Sequence, residues 1–343
     1  MNVLMMPGID ALDSLTNRLF CLEIPEAVEC LKQTQMILDD LGYPMDLFEA
    51  MRSEPRADFS WYHQLMICSF SVQVGLFRRF ENSGRKIDAV FSMSLGDIPR
   101  CVCVDAGSYE SALKGLVTYL KLTENLINTG NTLQIILPRP YARMKHHLRL
   151  EEYRVAISVD QSDYFFLLAG EIEDIERWDR EVGSKLNITV RRPFSVSMAL
   201  HHSLMNPVFD GLQHHIHESV SFARMKYPVF STVLARYIKN QDELVDDIDR
   251  TIRSTVRFKQ SVRAIMREHK RINFINIGPA PTMLLFLDYC YLRGKYTTED
   301  YFETTLKDLG LRKPARPLKK RLKRQFKTAT FKFNKNLELL RFT

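Results

Sequence analysis

No stretch of this 343-residue chain stays apolar for long enough to cross a bilayer. The longest runs, such as Thr282–Tyr291, are broken by Asp288 well short of the roughly 18 residues a span requires. The N-terminus has no basic segment ahead of its apolar stretch, so no signal peptide is expected. Cysteines are few: Cys21, Cys30, Cys68, Cys101, Cys103 and Cys290 lie scattered in mostly apolar surroundings. The pair Cys101 and Cys103 has no second pair to complete a zinc site, so the six read as reduced core thiols of a cytoplasmic protein without a metal. Gly107, Gly170 and Gly278 make no phosphate loop, and neither repeats nor low-complexity segments occur. What is present, 45% hydrophobic and 26% charged residues, is the make-up of a soluble globule and excludes disordered, collagenous and coiled-coil chains. The length predicts one enzyme-sized body, with room for an inserted subdomain.

Charge is unevenly placed. Residues 311–343 hold twelve Lys/Arg against the single acid Glu338, which leaves 36 basic and 40 acidic residues in 1–310. The body is mildly acidic and the tail is a basic arm. In it Leu318, Leu322 and Phe326 recur at every fourth position, with Lys319, Lys320, Arg321, Lys323 and Arg324 between them: one apolar stripe on a cationic helix. Such an arm either receives an acidic partner or packs its stripe on the body with its charges solvated. No aromatic stacking platform or membrane anchor accompanies it, so neither nucleic acid nor a membrane is an expected partner.

Residues 1–129 mix short strand-like runs with amphipathic helices, the alternation of an α/β layer fold. Met1–Met6 stops at Pro7-Gly8 and Lys86–Phe91 stops at a Ser-rich turn; helices are predicted over Ile24–Leu41, Trp61–Arg79 and Ser111–Ile127. From Thr132 the texture changes. Strands are predicted at Thr132–Leu137, Arg154–Asp160, Tyr164–Gly170 and Asn187–Arg192, with helices at Pro140–Glu151 and Ile172–Lys185. That β-α-β-β-α-β order is the order of a ferredoxin-like unit. Helical patterning then resumes, and Asn273–Ile277 reads as one more buried strand of the larger part. The expected division is an α/β-hydrolase-like large domain from 1–130 and 199–310, a ferredoxin-like subdomain at 131–198, and the arm at 311–343.

The turn after the Lys86–Phe91 run reads Phe91-Ser92-Met93-Ser94-Leu95-Gly96-Asp97. A nucleophile elbow needs a strand entering, a serine on a sharp turn, small residues two before and two after it, and a helix leaving. Here Ser92 and Gly96 flank Ser94. A second segment runs Ser195-Val196-Ser197-Met198-Ala199-Leu200-His201-His202-Ser203-Leu204-Met205-Asn206-Pro207. His214, His215 and His217 have no acidic or Cys ligand at helical spacing and read as surface histidines of a helix; His146-His147 amid Arg143, Lys145 and Arg149 reads as a solvated basic helix.

With both segments in view the chain resembles the malonyl-CoA:acyl-carrier-protein transacylase family, the acyltransferases of fatty acid and polyketide synthesis. The family's elbow is G-H-S-L-G-E and its histidine stands in H-x-x-L-M-x-P; the elbow is matched in part, as Ser92-Met93-Ser94-Leu95-Gly96-Asp97, and the histidine motif in full at His201, in that order. Met6-Pro7-Gly8, Leu167-Leu168-Ala169-Gly170, Val256-Arg257-Phe258 and Ile275-Asn276-Ile277-Gly278-Pro279 also match in register, so the resemblance covers roughly residues 1–290.

The resemblance implies a free-standing, monomeric acyltransferase in which Ser94 is the nucleophile and His201 its base. A backbone carbonyl near Thr251 would orient His201, and since only the carbonyl is used, the side chain there is not expected to matter. Backbone N–H groups of Ile9 and Leu95 would form the oxyanion hole. Acyl-CoA and phosphopantetheinyl acyl carrier protein are the implied substrates, with no resident cofactor and with Lys319, Lys320, Arg321, Lys323 and Arg324 as the implied carrier-protein contact. The departures concern selectivity. Met93 replaces the family's histidine and is expected at the acyl pocket. The family's malonyl-gripping arginine stands about 25 residues past the serine, and that count falls on Tyr119. Lys121 is about 200° further around the helix. A buried, unpaired carboxylate costs about 3–5 kcal/mol, so an acyl group without one is expected. An acyl hydrolase and a catalytically idle carrier-binding subunit are the alternatives on the same scaffold.

Overall fold

The structure is a computed structural model and describes residues 1–8, 12–54, 56, 58–137, 148–186, 188–191, 197–290, 292 and 294–311. Among these, nine strands form two sheets: β1 (Asn2–Met6), β2 (Ala89–Ser92), β3 (Gly130–Ile136), β4 (Ala156–Val159), β5 (Phe165–Glu171), β6 (Thr189–Arg191), β7 (Val229–Phe230), β8 (Arg271–Asn276) and β9 (Lys295–Asp300). The larger sheet has the order β7-β2-β1-β8-β9 with every neighbouring pair parallel. Parallel sheets need both faces covered, and β1 meets that demand with Val3, Leu4, Met5 and Met6 all fully buried. The strand's two-residue alternation sends Leu4, Met6 and Val90 into one core with the helices Pro25–Asp40, Phe59–Asn82 and Tyr109–Glu124. Val3, Met5 and Phe91 point the other way, onto Phe258, Val262 and Leu287. The fold class is α/β.

The smaller sheet is antiparallel, in the order β4-β5-β3-β6. Leu133, Ile135, Phe166 and Leu168 from its strands bury against Ile175 and Trp178 of the helix Ile172–Trp178, which continues as a π-turn over Asp179–Gly183. Trp178 Nε1 donates to the Leu148 carbonyl at 2.8 Å. The helix expected at Pro140–Glu151 falls mostly outside the described residues; its end is a 3₁₀ turn at Glu151–Tyr153.

Several hydrogen bonds fasten this sheet to the larger part, and two sets of them matter most here. Thr132 on β3 donates its hydroxyl to the Met198 carbonyl at 2.8 Å and accepts from the Leu200 N–H at 3.0 Å. At the end of β4, Val256 N–H donates to Ser158 O at 2.9 Å and Asp160 N–H to Val256 O at 2.8 Å. Both sets lead to the segments that build the site below. Two strands were not expected. β7 is two residues long, and β9 (Lys-Tyr-Thr-Thr-Glu-Asp) is a polar edge strand without the apolar alternation that marks a half-buried strand.

Candidate active site

β2 ends at Ser92 and the chain turns at once into a 3₁₀ turn, Ser94–Gly96, and the helix Asp97–Cys103. Ser94 sits at the crown with φ +58°. A non-glycine residue held there costs on the order of 1–3 kcal/mol, which the surroundings must offset. The turn lies directly over the end of the neighbouring strand β1. A Cβ on Gly96 would lie 2.5 Å from Met6 O and 2.7 Å from Pro7 O, so only glycine fits. Ser92 is fully buried, and its hydroxyl donates to the Asp97 carboxylate across the turn.

His201 also has a positive φ, +54°, at the end of the segment that Thr132 fastens to β3. It precedes the 3₁₀ turn Ser203–Met205 and the helix Asn206–Ser219 with its early proline. The geometry assigns its tautomer. Nδ1 lies 2.5 Å from the carbonyl oxygen of Thr251, which can only accept, so Nδ1 carries the proton. Nε2 is then a lone pair, and Ser94 Oγ donates to it at 2.8 Å. Burial lowers the His201 pKa, opposed by the Thr251 bond and by the nearby Asp97 carboxylate. The ring therefore favours its neutral form. His202 faces elsewhere: its Nδ1 accepts from the Leu204 N–H at 3.2 Å and caps the next turn.

Ser94 and His201 open on a solvent-connected cavity walled mainly by apolar side chains such as Ile98, Leu116, Leu212 and Ile216. No lysine or arginine is among the described residues that line it. Tyr119 lines it, as does Tyr62, and burial pushes both phenols up and keeps them neutral. Lys121 is exposed, its ammonium 5.1 Å from the Tyr43 ring. Leu95 lies on the cavity wall beside Ser94.

The sequence expectation for Met93 is corrected. It is buried with Val3, Met5 and Phe91 on the opposite face of the sheet and is not among the residues lining the cavity, because alternation along β2 and its extension turns positions 91 and 93 away from the Ser94 side. A second correction concerns the histidines of the Asn206–Ser219 helix. His214 and His217 are exposed, but His215 is turned onto the cavity wall, where Nε2 donates to Ser111 O at 2.9 Å. Ile9 lies outside the described residues, as do Lys319, Lys320, Arg321, Lys323 and Arg324 of the arm.

The sequence reading missed a buried charged cluster behind the pair. Asp97, Arg100 and Asp247 are all at most 3% exposed. Arg100 Nη1 donates to Asp97 Oδ1 at 3.1 Å and to Ser92 Oγ at 3.2 Å, and its Nη2 meets Asp247 Oδ2 at 2.8 Å. Thr251 Oγ1 donates to Asp97 Oδ2 at 2.7 Å. Asp97 and Arg100 share a helix at i, i+3, which was visible; their partners about 150 residues away were not. Among the described residues, no group of three or more His, Cys, Asp or Glu side chains is arranged to hold a metal ion, and no helix is long and apolar enough to cross a membrane.

Comparison with known proteins bears on the family and the fold. A family model described as "Acyl transferase domain" matches residues 40–295. The chain is 25% identical over 246 residues to the polyketide biosynthesis protein PksE of Bacillus subtilis, a match covering 71% of this chain and 31% of that protein, so the chain spans about a third of that relative's length. It is 23% identical over 240 residues to a malonyl CoA-acyl carrier protein transacylase of Buchnera aphidicola, covering 68% of this chain and 75% of the relative. Among solved structures, the malonyl CoA-acyl carrier protein transacylase of Coxiella burnetii superposes with TM-score 0.74 at 20% identity, over 90% of this chain and 97% of that one. A loading acyltransferase from the avermectin modular polyketide synthase gives 0.71 at 16%, over 90% and 100%. At these identities the structural likenesses speak for the fold alone.

Proposed function

We propose that this chain, which belongs to the acyl transferase domain family, carries an acyl group on Ser94 between two thiols, taking it from an acyl-CoA or acyl-carrier-protein thioester. The observation that carries this reading is the Ser94–His201–Thr251 relay at 2.8 and 2.5 Å, opening on an apolar cavity.

The chemistry follows from the protons. Neutral His201 accepts the Ser94 proton at Nε2 as Oγ attacks the thioester carbonyl. The Nδ1–H bond to Thr251 O holds the ring in place and bears the charge that develops. Negative charge gathers on the former carbonyl oxygen, where the Leu95 N–H, in the first turn after the elbow and free of any intrahelical acceptor, and the Ile9 N–H are the proposed donors. The tetrahedral intermediate collapses with cleavage of the C–S bond, and His201 returns its proton to the leaving thiolate. Acyl-Ser94 remains. An incoming thiol then gives its proton to His201, attacks the ester, and regenerates Ser94, so the two half-reactions are ping-pong. No step uses a resident cofactor.

The absence of lysine and arginine from the described cavity wall supports acyl groups without a terminal carboxylate, with Tyr119 where the family's cation would stand. The strand order of the smaller sheet supports a ferredoxin-like subdomain at 131–198, inserted into an α/β-hydrolase-like domain of residues 1–130 and 199–310. On this reading the protein works as a cytoplasmic monomer with an acidic acyl carrier protein as partner. The basic arm, Lys319, Lys320, Arg321, Lys323 and Arg324 above all, is its docking segment.

Intact-mass measurement after exposure to a panel of acyl thioesters tests the reading. One acyl adduct is expected on the native protein, mapping to Ser94 and absent from Ser94→Ala, with on the order of 10³-fold or greater loss of transfer. Label on Cys101 or Cys103 would overturn the assignment of the nucleophile. No adduct from any thioester would point to an idle carrier-binding subunit, and discharge faster to water than to thiol would point to a hydrolase.

A further inference from the structure

The geometry points to Asp97 as a positioning residue for the Ser94–His201 pair, acting through the side chain of Thr251; this rests on the reading of that pair as the reacting couple. Thr251 faces two ways. Its carbonyl accepts from His201 Nδ1 at 2.5 Å, while its hydroxyl donates to Asp97 Oδ2 at 2.7 Å. A carboxylate thus stands behind the histidine at one residue's remove, where a Ser-His-Asp triad would place it in direct contact. The side chain at position 251 matters, contrary to what the use of its carbonyl alone implies.

Asp97 is held from every side. Its Oδ1 accepts from Ser92 on the strand side of the elbow and from Arg100 one turn along its own helix. Arg100 is in turn braced by Asp247, which sits one helical turn before Thr251 on Gln241–Arg253. The cluster therefore couples two elements, the helix after the nucleophile and the helix that orients the base. It explains why Ser92 serves here where the turn needs only a small residue. A serine fits the buried space and supplies a hydroxyl for Asp97. The Asp97 carboxylate opposes the effect of burial on His201 and favours a positive ring as the proton arrives.

Other titratable groups around His201 do not duplicate this. Tyr62, Cys101 and Tyr119 share the cavity wall, and burial raises each and keeps it neutral. His215 is across the wall, bonded to Ser111 O. Asp249, on the helix that carries Thr251, is paired with Arg253. Among the described residues the carboxylate of Asp97 is the acid that acts on the His201 ring.

Asp97→Asn keeps the shape and removes the charge. Thr251→Val keeps the carbonyl and the branched shape but removes the donor, and Thr251→Ser restores it. Each variant is compared with the native protein by single-turnover acylation across pH and by NMR titration of the His201 ring. Asp97→Asn and Thr251→Val are expected to move the His201 midpoint, and with it the acid limb of acylation, downward by about one pH unit, to slow acylation about tenfold, and to leave thioester KM unchanged. Thr251→Ser should return all three to native values. Native midpoints and rates in both Asp97→Asn and Thr251→Val would overturn the inference. If the native protein forms no acyl-serine, the functional reading fails instead, and the NMR titration still decides whether Asp97 acts on His201. If Asp97→Asn fails to fold, the Thr251 pair decides.

Discussion

At the scale of single residues, the proposed function makes two positions decisive for what the site does. Tyr119 stands on the cavity wall on the helix Tyr109–Glu124, where a phenol cannot neutralise a carboxylate. Neutral acyl thioesters are therefore expected to load in preference to malonyl. Tyr119→Arg should shift the malonyl-to-neutral ratio upward by up to two or three decades, the equivalent of the 3–5 kcal/mol that an unpaired buried carboxylate costs. Competition between malonyl and neutral acyl thioesters on native and variant protein measures it, and a native preference for malonyl would show that another group supplies the cation. His201 sets the pH dependence. Its pKa is lowered from 6.5, with burial the largest cause, and on the proposed mechanism the neutral ring is the active form. The rate of acylation should rise with pH through a midpoint below 6.5 and be flat from there to pH 8. A midpoint above 6.5 in the pH–rate profile would contradict the neutral, buried ring.

At the scale of elements, backbone packing positions the turn that carries Ser94. The helix Phe59–Asn82 is buried along most of its length, and it reaches that depth because Gly75 lets it lie directly on the start of Pro25–Asp40. A Cβ at Gly75 would meet the Ala27 Cα and Glu26 O at 2.6 Å, both backbone atoms that cannot swing aside. Gly75→Ala would raise helix propensity by about 1 kcal/mol, yet overpacking of this kind costs about 1–3 kcal/mol. Net destabilisation is expected in denaturant unfolding, and a variant more stable than the native protein would show that the two helices can separate. Element boundaries were legible where the pattern is local: Pro25–Asp40 lies within one residue of its expected span at each end, and Tyr109–Glu124 within three. The expected strand at Lys86–Phe91 is shifted to Ala89–Ser92, because its first residues, although near Asn2 on β1, precede the paired register. β9 was illegible, since a polar edge strand owes its place to hydrogen bonds with β8 and leaves no periodic trace.

At the scale of the whole molecule, charge separates the body from the arm. Residues 311–343 carry the excess of positive charge and 1–310 are mildly acidic, so the proposed carrier-protein contact depends on attraction that salt screens, with a screening length of about 8 Å at physiological ionic strength. Deleting 312–343, or raising salt, should slow association with an acidic carrier protein, while acylation by a small thioester is unaffected. Surface-binding kinetics across a salt series test this. A carrier affinity indifferent to both changes would assign the arm to packing of its Leu318, Leu322 and Phe326 stripe.

The sequence by itself determined the α/β class, because strand and helix periods are local, and it determined the elbow, because a serine between small residues after an apolar run is a local pattern. It also marked His201, through the resemblance of its segment to a known motif. Only the tertiary structure decided the rest. The 107-position separation of Ser94 and His201 is closed to 2.8 Å by ties such as Thr132 to Met198, which no window of sequence contains. The inward turn of His215 and the outward turn of Met93 depend on which sheet face or helix side meets a neighbour. The Asp97–Arg100–Asp247–Thr251 cluster exists because two helices about 150 residues apart in the chain bury their polar groups against each other, where each must find a partner or go unpaired out of water.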